Sequence, residues 1–249
     1  MNRGIGMKLI DSHAHLEGFV DIPAVIERAK AAGVIRVLAV SANLDTSIKA
    51  LQLQNEYRSF ISALIGIHPL EAEKDWVAAL SFIEKHLDEC VGIGEIGLDY
   101  WTKIDVNLQR KIFTALLRVA SANDLPVSIH SRGSWDDCFN LLIEYGIRHA
   151  VFHWYTGSIE TLKQILDNGY FVSATPAVEY SKAHRQAIRE APLDSLLLET
   201  DCPVKYHGKE SEPADVAKTL TYVSMLYGLS SKIVAEKTTE NVYRLFKRM

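Results

Sequence analysis

Histidine and acidic side chains stand where short apolar segments of the chain end. The first such segment ends in DSHAH (residues 11–15), and in a strand the side chains of His13 and His15 point the same way. Another segment ends in GEIG, which places the carboxylate of Glu95 between two glycines. Imidazole and carboxylate groups are ligands that divalent cations accept, so these segment ends predict a metal site if the fold brings them together.

Three further apolar segments end in the same residue types, at His130, His153 and Asp201. A lone histidine that closes a strand is more often a core residue than a ligand. Five segment ends of this kind make coincidence the weaker interpretation, because strand ends in a barrel converge on one mouth. Four imidazoles and two carboxylates would hold two divalent cations with one carboxylate between them.

Eight continuous apolar segments alternate with segments of helical periodicity along the whole chain. Continuous apolar segments are typical of strands covered on both faces. The pattern predicts one α/β domain over residues 1–249, a (β/α)₈ TIM barrel with its metal site at the C-terminal ends of the strands. A doubly wound open sheet is the alternative, although the glycine-rich turn typical of that fold is absent after the first strand. The predicted strands cover residues 8–14, 34–40, 61–68, 92–98, 126–130, 150–153, 170–174 and 195–200.

Composition narrows the class of protein further. The 249 residues include 27 Lys and Arg against 31 Asp and Glu, a net charge of −4, which argues against a broad basic groove for duplex DNA. Three cysteines without CxxC spacing indicate a reduced, cytoplasmic protein. We expect no signal peptide, no membrane span, a loose leader over residues 1–7 and, by default, a monomer.

The motifs DSHAHL, GEIGLD, PVSIHSR, FHWYTG and LETDCP, in this order, resemble those of the TatD family of metal-dependent deoxyribonucleases. That family belongs to the amidohydrolase-like barrel superfamily, and the match runs from about Lys8 to the C-terminus. The resemblance implies phosphodiester hydrolysis by a hydroxide between two divalent ions, which are Mg²⁺, Mn²⁺ or Zn²⁺. It implies one ion on His13, His15 and Asp201, another on His130 and His153, and Glu95 as the bridge between them.

Other residues near these motifs are candidates for catalysis or substrate binding. Asp201 is expected to orient or deprotonate the attacking water, while His68, in a GIHP segment, matches a family position that contacts substrate. Arg132 is either a phosphate clamp or a surface salt bridge. The neighbouring pairs Tyr100-Trp101 and Trp154-Tyr155 either stack unpaired bases or pack on the barrel rim.

Two more acidic residues, Asp11 and Glu210, bear on the site. Asp11 either orients a ligand ring or is a polar residue of the barrel floor. Glu210 stands where family members commonly carry arginine, which removes a phosphate partner, and Lys205, His207 and Lys209 partly offset that loss.

The favoured function is therefore an exonuclease acting on single-stranded or frayed DNA. Two alternatives remain: an amidohydrolase or esterase acting on a small molecule or on aminoacyl-tRNA, and a non-catalytic subunit of a defence or repair assembly.

Overall fold

The structure, a computed structural model, describes residues 7–249. The expected leader over residues 1–7 therefore falls outside the described residues, except for Met7. Eight parallel strands lie in chain order, each paired with the next, and they alternate with helices in a nearly closed (β/α)₈ barrel. The expected fold class is confirmed, and the crossed strand order of a doubly wound sheet is not observed among the described residues.

The strands are β1 (Leu9–Ala14), β2 (Val34–Val40), β3 (Ile61–Ile65), β4 (Gly92–Gly97), β5 (Val127–His130), β6 (Ala150–Phe152), β7 (Phe171–Ala174) and β8 (Leu196–Leu198). A short hairpin of β9 (Lys205–Tyr206) and β10 (Lys209–Glu210) follows β8. The helices are α1 (Ile22–Ala31), α2 (Leu44–Glu56), α3 (Trp76–Lys85), α4 (Val106–Ala122), α5 (Trp135–Glu144), α6 (Ile159–Asp167), α7 (Lys182–Glu190), α8 (Val216–Tyr227) and α9 (Ser231–Leu245).

The barrel closes where the end of β1 meets the segment that follows β8. The backbone N–H of Asp201 donates to the carbonyl of His13 over 2.9 Å, and the N–H of His15 donates to the carbonyl of Cys202 over 2.8 Å. The hydroxyl of Ser12 also donates to the carbonyl of Leu198 over 3.0 Å. Closure therefore occurs at the same level as the acidic and imidazole side chains.

Apolar side chains fill the barrel interior below that level. Ile10, Leu38, Leu64 and Leu197, from four different strands, belong to one buried cluster. The last turn of α9 joins this cluster through Val242, Leu245 and Phe246. The ring of Phe246 lies beside Gly92, the first residue of β4, so α9 covers the N-terminal end of the barrel and leaves the opposite end open to substrate.

Polar caps determine where helices begin after the strand-end loops. The side chain of Asn43 accepts a hydrogen bond from the N–H of Thr46, and the Thr46 hydroxyl accepts one from the N–H of Asn43. Ser158 caps α6 by accepting from the N–H of Thr161. The loops after β2 and β6 are therefore short and well bounded.

Two predicted strands were too long by two or more residues at their C-terminal ends. The segment 61–68 is strand only to Ile65, because Pro69 begins a turn of 3-10 helix that His68 caps. The segment 195–200 is strand only to Leu198, and Asp201 adopts a left-handed backbone conformation with φ of +51°. His68 and Asp201 therefore lie in loops, whose conformation directs their side chains.

Candidate metal centre

The carboxylate of Glu95 lies at the centre of the site, near the C-terminal end of β4. Its Oε2 lies 3.2 Å from Nε2 of His13 and 3.2 Å from Nε2 of His15. Its Oε1 lies 2.7 Å from Nδ1 of His130 and 2.8 Å from Nε2 of His153. The two oxygens of one carboxylate therefore face two separate groups of imidazoles.

Asp201 completes the group on the β1 side. Its Oδ1 lies 3.7 Å from Nε2 of His13 and 3.6 Å from Nε2 of His15. One donor atom from each of these three residues lies within 4.8 Å of the other two. These are the three residues for which the family resemblance implies one ion.

His68 lies on the other side of Glu95. One donor atom from each of His68, Glu95 and His130 lies within 4.8 Å of the other two. Nε2 of His68 lies 3.2 Å from Oε1 of Glu95 and 3.1 Å from Nδ1 of His130. Its other nitrogen, Nδ1, accepts a hydrogen bond from the N–H of Leu70 over 3.1 Å. A neutral imidazole with Nδ1 as acceptor carries its proton on Nε2, so His68 presents an N–H to the site.

The other four imidazoles differ from His68 in what their outer nitrogen contacts. In each of them the nitrogen that points away from Glu95 faces an oxygen that can accept a hydrogen bond. The pairs are Nδ1 of His13 with Ser128 Oγ at 3.3 Å, Nδ1 of His15 with Glu17 Oε1 at 3.5 Å, Nε2 of His130 with Asp99 Oδ2 at 2.9 Å and Nδ1 of His153 with Glu199 Oε1 at 3.4 Å. These four rings can therefore direct a lone pair toward the centre.

Glu199 is a site residue that the sequence reasoning missed. It is buried, and besides facing His153 its Oε1 accepts from the backbone N–H of Trp154 over 3.0 Å. Trp154 itself has a left-handed backbone conformation, with a φ of +42°. The signal for Glu199 in the sequence is its acidic side chain in the LETD segment, two residues before Asp201.

Asp11 contacts the backbone that carries Asp201 and no ligand ring. Its carboxylate accepts from the N–H of Thr200 over 2.9 Å and from the hydroxyl of Thr200 over 2.6 Å. The ring of His13 is instead oriented by Ser128. The interpretation of Asp11 as the group that orients a ligand ring was therefore wrong.

The two carboxylates at the centre differ in their proton affinity. Burial alone would raise the pKa of Glu95, but the imidazoles of His68, His153 and His13 hold that pKa well below its usual range. Burial prevails at Asp201 and raises its pKa despite the same imidazoles. Glu95 is thus the firmly ionised group, whereas Asp201 has the greater tendency to take a proton.

The donor set fits divalent cations. Within residues 7–249, the ion-pair partners of Glu95 and Asp201 are all histidines, with no lysine or arginine among them. Two buried carboxylates that lack a permanent cationic partner are costly unless a cation neutralises them. Imidazole and carboxylate donors suit Zn²⁺ and Mn²⁺, and carboxylates also suit Mg²⁺.

The residues expected to bind substrate lie on the rim in varied states of exposure. Arg132 makes the salt bridge that was its alternative role, with Nε 2.9 Å and Nη2 2.8 Å from Oδ2 of Asp99. Tyr100 is partly buried and donates its hydroxyl to Asp137. Trp154 is partly exposed, with its ring 5.7 Å from that of Tyr206.

Trp101, next to Tyr100, and Tyr155, next to Trp154, differ in their exposure to solvent. Trp101 is 70% exposed, with the Arg132 guanidinium 5.6 Å from the centre of its ring. Tyr155 is fully buried and donates its hydroxyl to the carbonyl of Ser158, so of its two expected roles it takes packing within the barrel rim. Sequence position beside a strand end did not distinguish these two rings.

The β9–β10 hairpin shows how the chain accommodates Glu210. The Glu210 carboxylate faces Lys205 across the hairpin at 3.4 Å, and His207 faces Glu179 at 3.2 Å. Lys205 and His207 are therefore each paired with an acidic side chain, and the charge of Lys205 is less available to attract an anion.

The barrel and its donor set define a metal-dependent hydrolase. A family model described as TatD related DNase matches residues 10–247. The chain is 35% identical to the metal-dependent hydrolase YabD of Bacillus subtilis, over 96% of this chain and 99% of that protein. It is 30% identical to the human deoxyribonuclease TATDN3, over 99% of this chain and 97% of that protein. The crystal structure of YJJV, a TatD homologue from Escherichia coli, superposes with a TM-score of 0.90 at 27% identity, covering 96% of this chain and 98% of that one.

The chain belongs to the TatD family. It is a metal-dependent hydrolase of the deoxyribonuclease type, which acts on ester bonds of nucleic acid with divalent metal. No helix within residues 7–249 combines the length and apolar character that crossing a membrane requires.

Proposed function

We propose that this enzyme removes nucleotides from single-stranded or frayed DNA ends with two divalent ions. One ion would lie on His13, His15 and Asp201, and the other on His130 and His153. Glu95 would lie between them and contact both. When bound, such ions activate water for attack and offset the charge of the phosphodiester.

The observation that carries this proposal is the division of the Glu95 carboxylate between two groups of imidazoles. Oε2 faces His13 and His15, whereas Oε1 faces His130 and His153, all within 3.2 Å. A carboxylate that serves one ion has no need of imidazoles around both oxygens.

We assign Asp201 to the attacking water. Its carboxylate lies at the edge of the β1 group, and it is buried in a loop whose backbone is tied to His13. From that place Asp201 would orient the water and take its proton. Glu95, which is firmly ionised, would keep its negative charge through the reaction.

His68 is assigned to the substrate. Leu70 donates to its Nδ1, so Nε2 carries the proton and points into the site. An N–H in that position would donate to a phosphate oxygen or to the leaving oxygen. This hydrogen-bond pattern separates His68 from the four imidazoles that direct a lone pair inward.

Preference for unpaired DNA ends is supported by the rim. Trp101 offers an open ring beside the site, and we add it to Tyr100 and Trp154 as a ring on which a base would stack. Arg132 lies next to Trp101, and nitrogen Nη1 is not part of its contact with Asp99, so it remains a candidate for a phosphate. A net charge of −4 also favours capture of one strand end over coating of a duplex.

Digestion of end-labelled oligonucleotides tests the proposal. Single- and double-stranded substrates would be incubated with Mg²⁺, Mn²⁺ or Zn²⁺, using the wild type, Glu95→Ala and the control Glu89→Ala. Glu89 is half exposed and pairs with His86 on the segment before β4. We expect stepwise shortening of single strands by the wild type and the control, and none by Glu95→Ala.

Other outcomes would contradict specific parts of the proposal. Internal cuts without a ladder would contradict exonuclease action. Activity that survives Glu95→Ala would come from a contaminating nuclease. Bound metal without any cleavage would favour a small ester or amide as substrate.

A further inference from the structure

The buried carboxylate of Asp99 takes no part in the reaction proposed above, yet it contacts the metal centre. Oδ2 of Asp99 lies 2.9 Å from Nε2 of His130, and the other nitrogen of that ring faces Glu95. An ionised carboxylate accepts hydrogen bonds and donates none. The contact therefore requires a proton on Nε2 of His130, and when the ring is neutral the lone pair of Nδ1 faces the centre, where Nε2 of His68 lies 3.1 Å away.

Several groups hold Asp99 in this orientation. Oδ1 accepts from the backbone N–H of Trp101 over 2.8 Å, and Arg132 binds Oδ2 through two of its nitrogens. The side chain of Gln109 on α4 accepts from the backbone N–H of Asp99 and donates to its carbonyl.

His130 differs from the other imidazoles in the nitrogen that it directs inward. His13, His15 and His153 present Nε2 to Glu95, whereas His130 presents Nδ1. The hydrogen bond that one ring nitrogen makes determines which nitrogen is left to bind a metal, so the group that faces Nε2 of His130 holds the ring in this form. Among the residues that the structure describes, Asp99 is the carboxylate that faces Nε2 of this ring.

We propose that Asp99 is a positioning residue that fixes His130 with its proton on Nε2 and Nδ1 as the ligand nitrogen, with Arg132 as the counter-ion of Asp99. This inference rests on the proposed assignment of His130 to an ion. It also gives Arg132 a role inside the site, since two of its nitrogens serve Asp99. Loss of Asp99 would weaken the ion on the His130 side of Glu95 and spare the ion on the β1 side.

Metal titration of Asp99→Asn tests whether one ion is weakened and the other is spared. The control is Asp137→Asn, which removes an acceptor of the Tyr100 hydroxyl in the same neighbourhood without contacting His130. Isothermal titration with Zn²⁺ and Mn²⁺ would give two equivalents for the wild type and the control. In Asp99→Asn we expect one equivalent to keep its affinity and the other to weaken by about 10- to 100-fold.

The position of the proton on His130 provides a second readout that needs no variant and no metal. Long-range ¹H–¹⁵N spectra of metal-free wild type, recorded at a pH where the His130 ring is neutral, would show the proton on Nε2. A proton on Nδ1 would overturn the inference, even if Asp99→Asn failed to fold. Unchanged affinity for both equivalents in a folded Asp99→Asn protein would also overturn it.

These readouts separate the inference from the proposed function. If the wild type bound a single ion while His130 carried its proton on Nε2, the two-ion proposal would fail and the role of Asp99 would stand. If the wild type bound two ions and Asp99→Asn weakened both equally, the proposed selectivity for His130 would fail instead.

Discussion

Gly97 and His130 lie so close together that no side chain fits between their backbones. A Cβ atom at Gly97 would lie 1.9 Å from the carbonyl oxygen of His130, and the φ of Gly97 is +146°. That carbonyl oxygen accepts from the N–H of Leu98 over 3.1 Å. The close approach of β4 to β5 thus brings Glu95 within reach of the His130 ring.

Gly97→Ala should destabilise the protein severely. The added methyl group meets backbone, which cannot rotate away, so we expect a loss of at least about 3 kcal/mol in the free energy of unfolding. Gly169→Ala is the matched control, because Gly169 also has a positive φ, +76°, but faces open space. That control should cost about 1–2 kcal/mol from backbone strain alone. Urea denaturation of both metal-free variants measures the difference, and equal losses would contradict the steric argument.

The thermal response to metal should depend on Glu95. A ligand that binds only the folded state, at a free concentration 100 times its dissociation constant, raises the free energy of unfolding by about 2.7 kcal/mol. We expect wild type and Glu89→Gln to show a rise in Tm when Mn²⁺ or Zn²⁺ is added, and Glu95→Gln to show little or none. A full rise in Glu95→Gln would mean that the ions bind elsewhere.

Trp101→Ala should weaken binding of single-stranded substrate without altering the chemical step. Stacking on one base contributes about 1–3 kcal/mol, which corresponds to a rise in KM of roughly 5- to 150-fold with little change in kcat. Val77→Ala on α3 serves as the control, because Val77 is 60% exposed and lies outside the strand-end loops. An unchanged KM for Trp101→Ala would contradict the stacking role.

His184 should make the protein less stable in acid. It is fully buried, and burial lowers its pKa to about 4 from an ordinary value of 6.5. The unfolded chain therefore binds a proton more readily, and stability falls as the pH drops from 6.5 to 4. At 1.36 kcal/mol per pH unit the loss approaches about 3 kcal/mol.

Replacing His184 by glutamine isolates this effect. His184 accepts from the N–H of Thr175 over 3.1 Å and donates to the carbonyl of Tyr155 over 2.8 Å, and a glutamine amide can do both. Denaturation at several pH values should show a shallower loss of stability for His184→Gln between pH 6.5 and 4. Identical slopes for variant and wild type would exclude His184 as the source.

The parts of the molecule that were predictable from sequence are those that repeat. Most strands are largely apolar, and the helices that follow them have helical periodicity, so the barrel could be inferred from eight similar units. His13, His15, Glu95, His130, His153 and Asp201 were identifiable because each stands where such a segment ends. Their convergence then follows from the geometry of the barrel.

The groups that surround those six residues were not predictable in the same way. Glu199 contacts the backbone N–H of Trp154, which lies in a loop and has a positive φ. Tyr155 is buried whereas Trp101 is exposed, although each lies in the loop that follows a strand. Such differences depend on single backbone angles in loops, for which the sequence carries no periodic signal.

Barrel closure has a consequence for how the protein is made. The backbone of Asp201 is bonded to that of His13, so the last expected ligand is added 188 residues after the first. A nascent chain that has emerged only as far as β7 holds five of the six residues but lacks the partner that closes β1. The helix that covers the bottom of the barrel, α9, leaves the ribosome later still. Capture of the ion assigned to His13, His15 and Asp201 is therefore expected only after Asp201 has been made, and a product truncated before that residue would lack a complete centre.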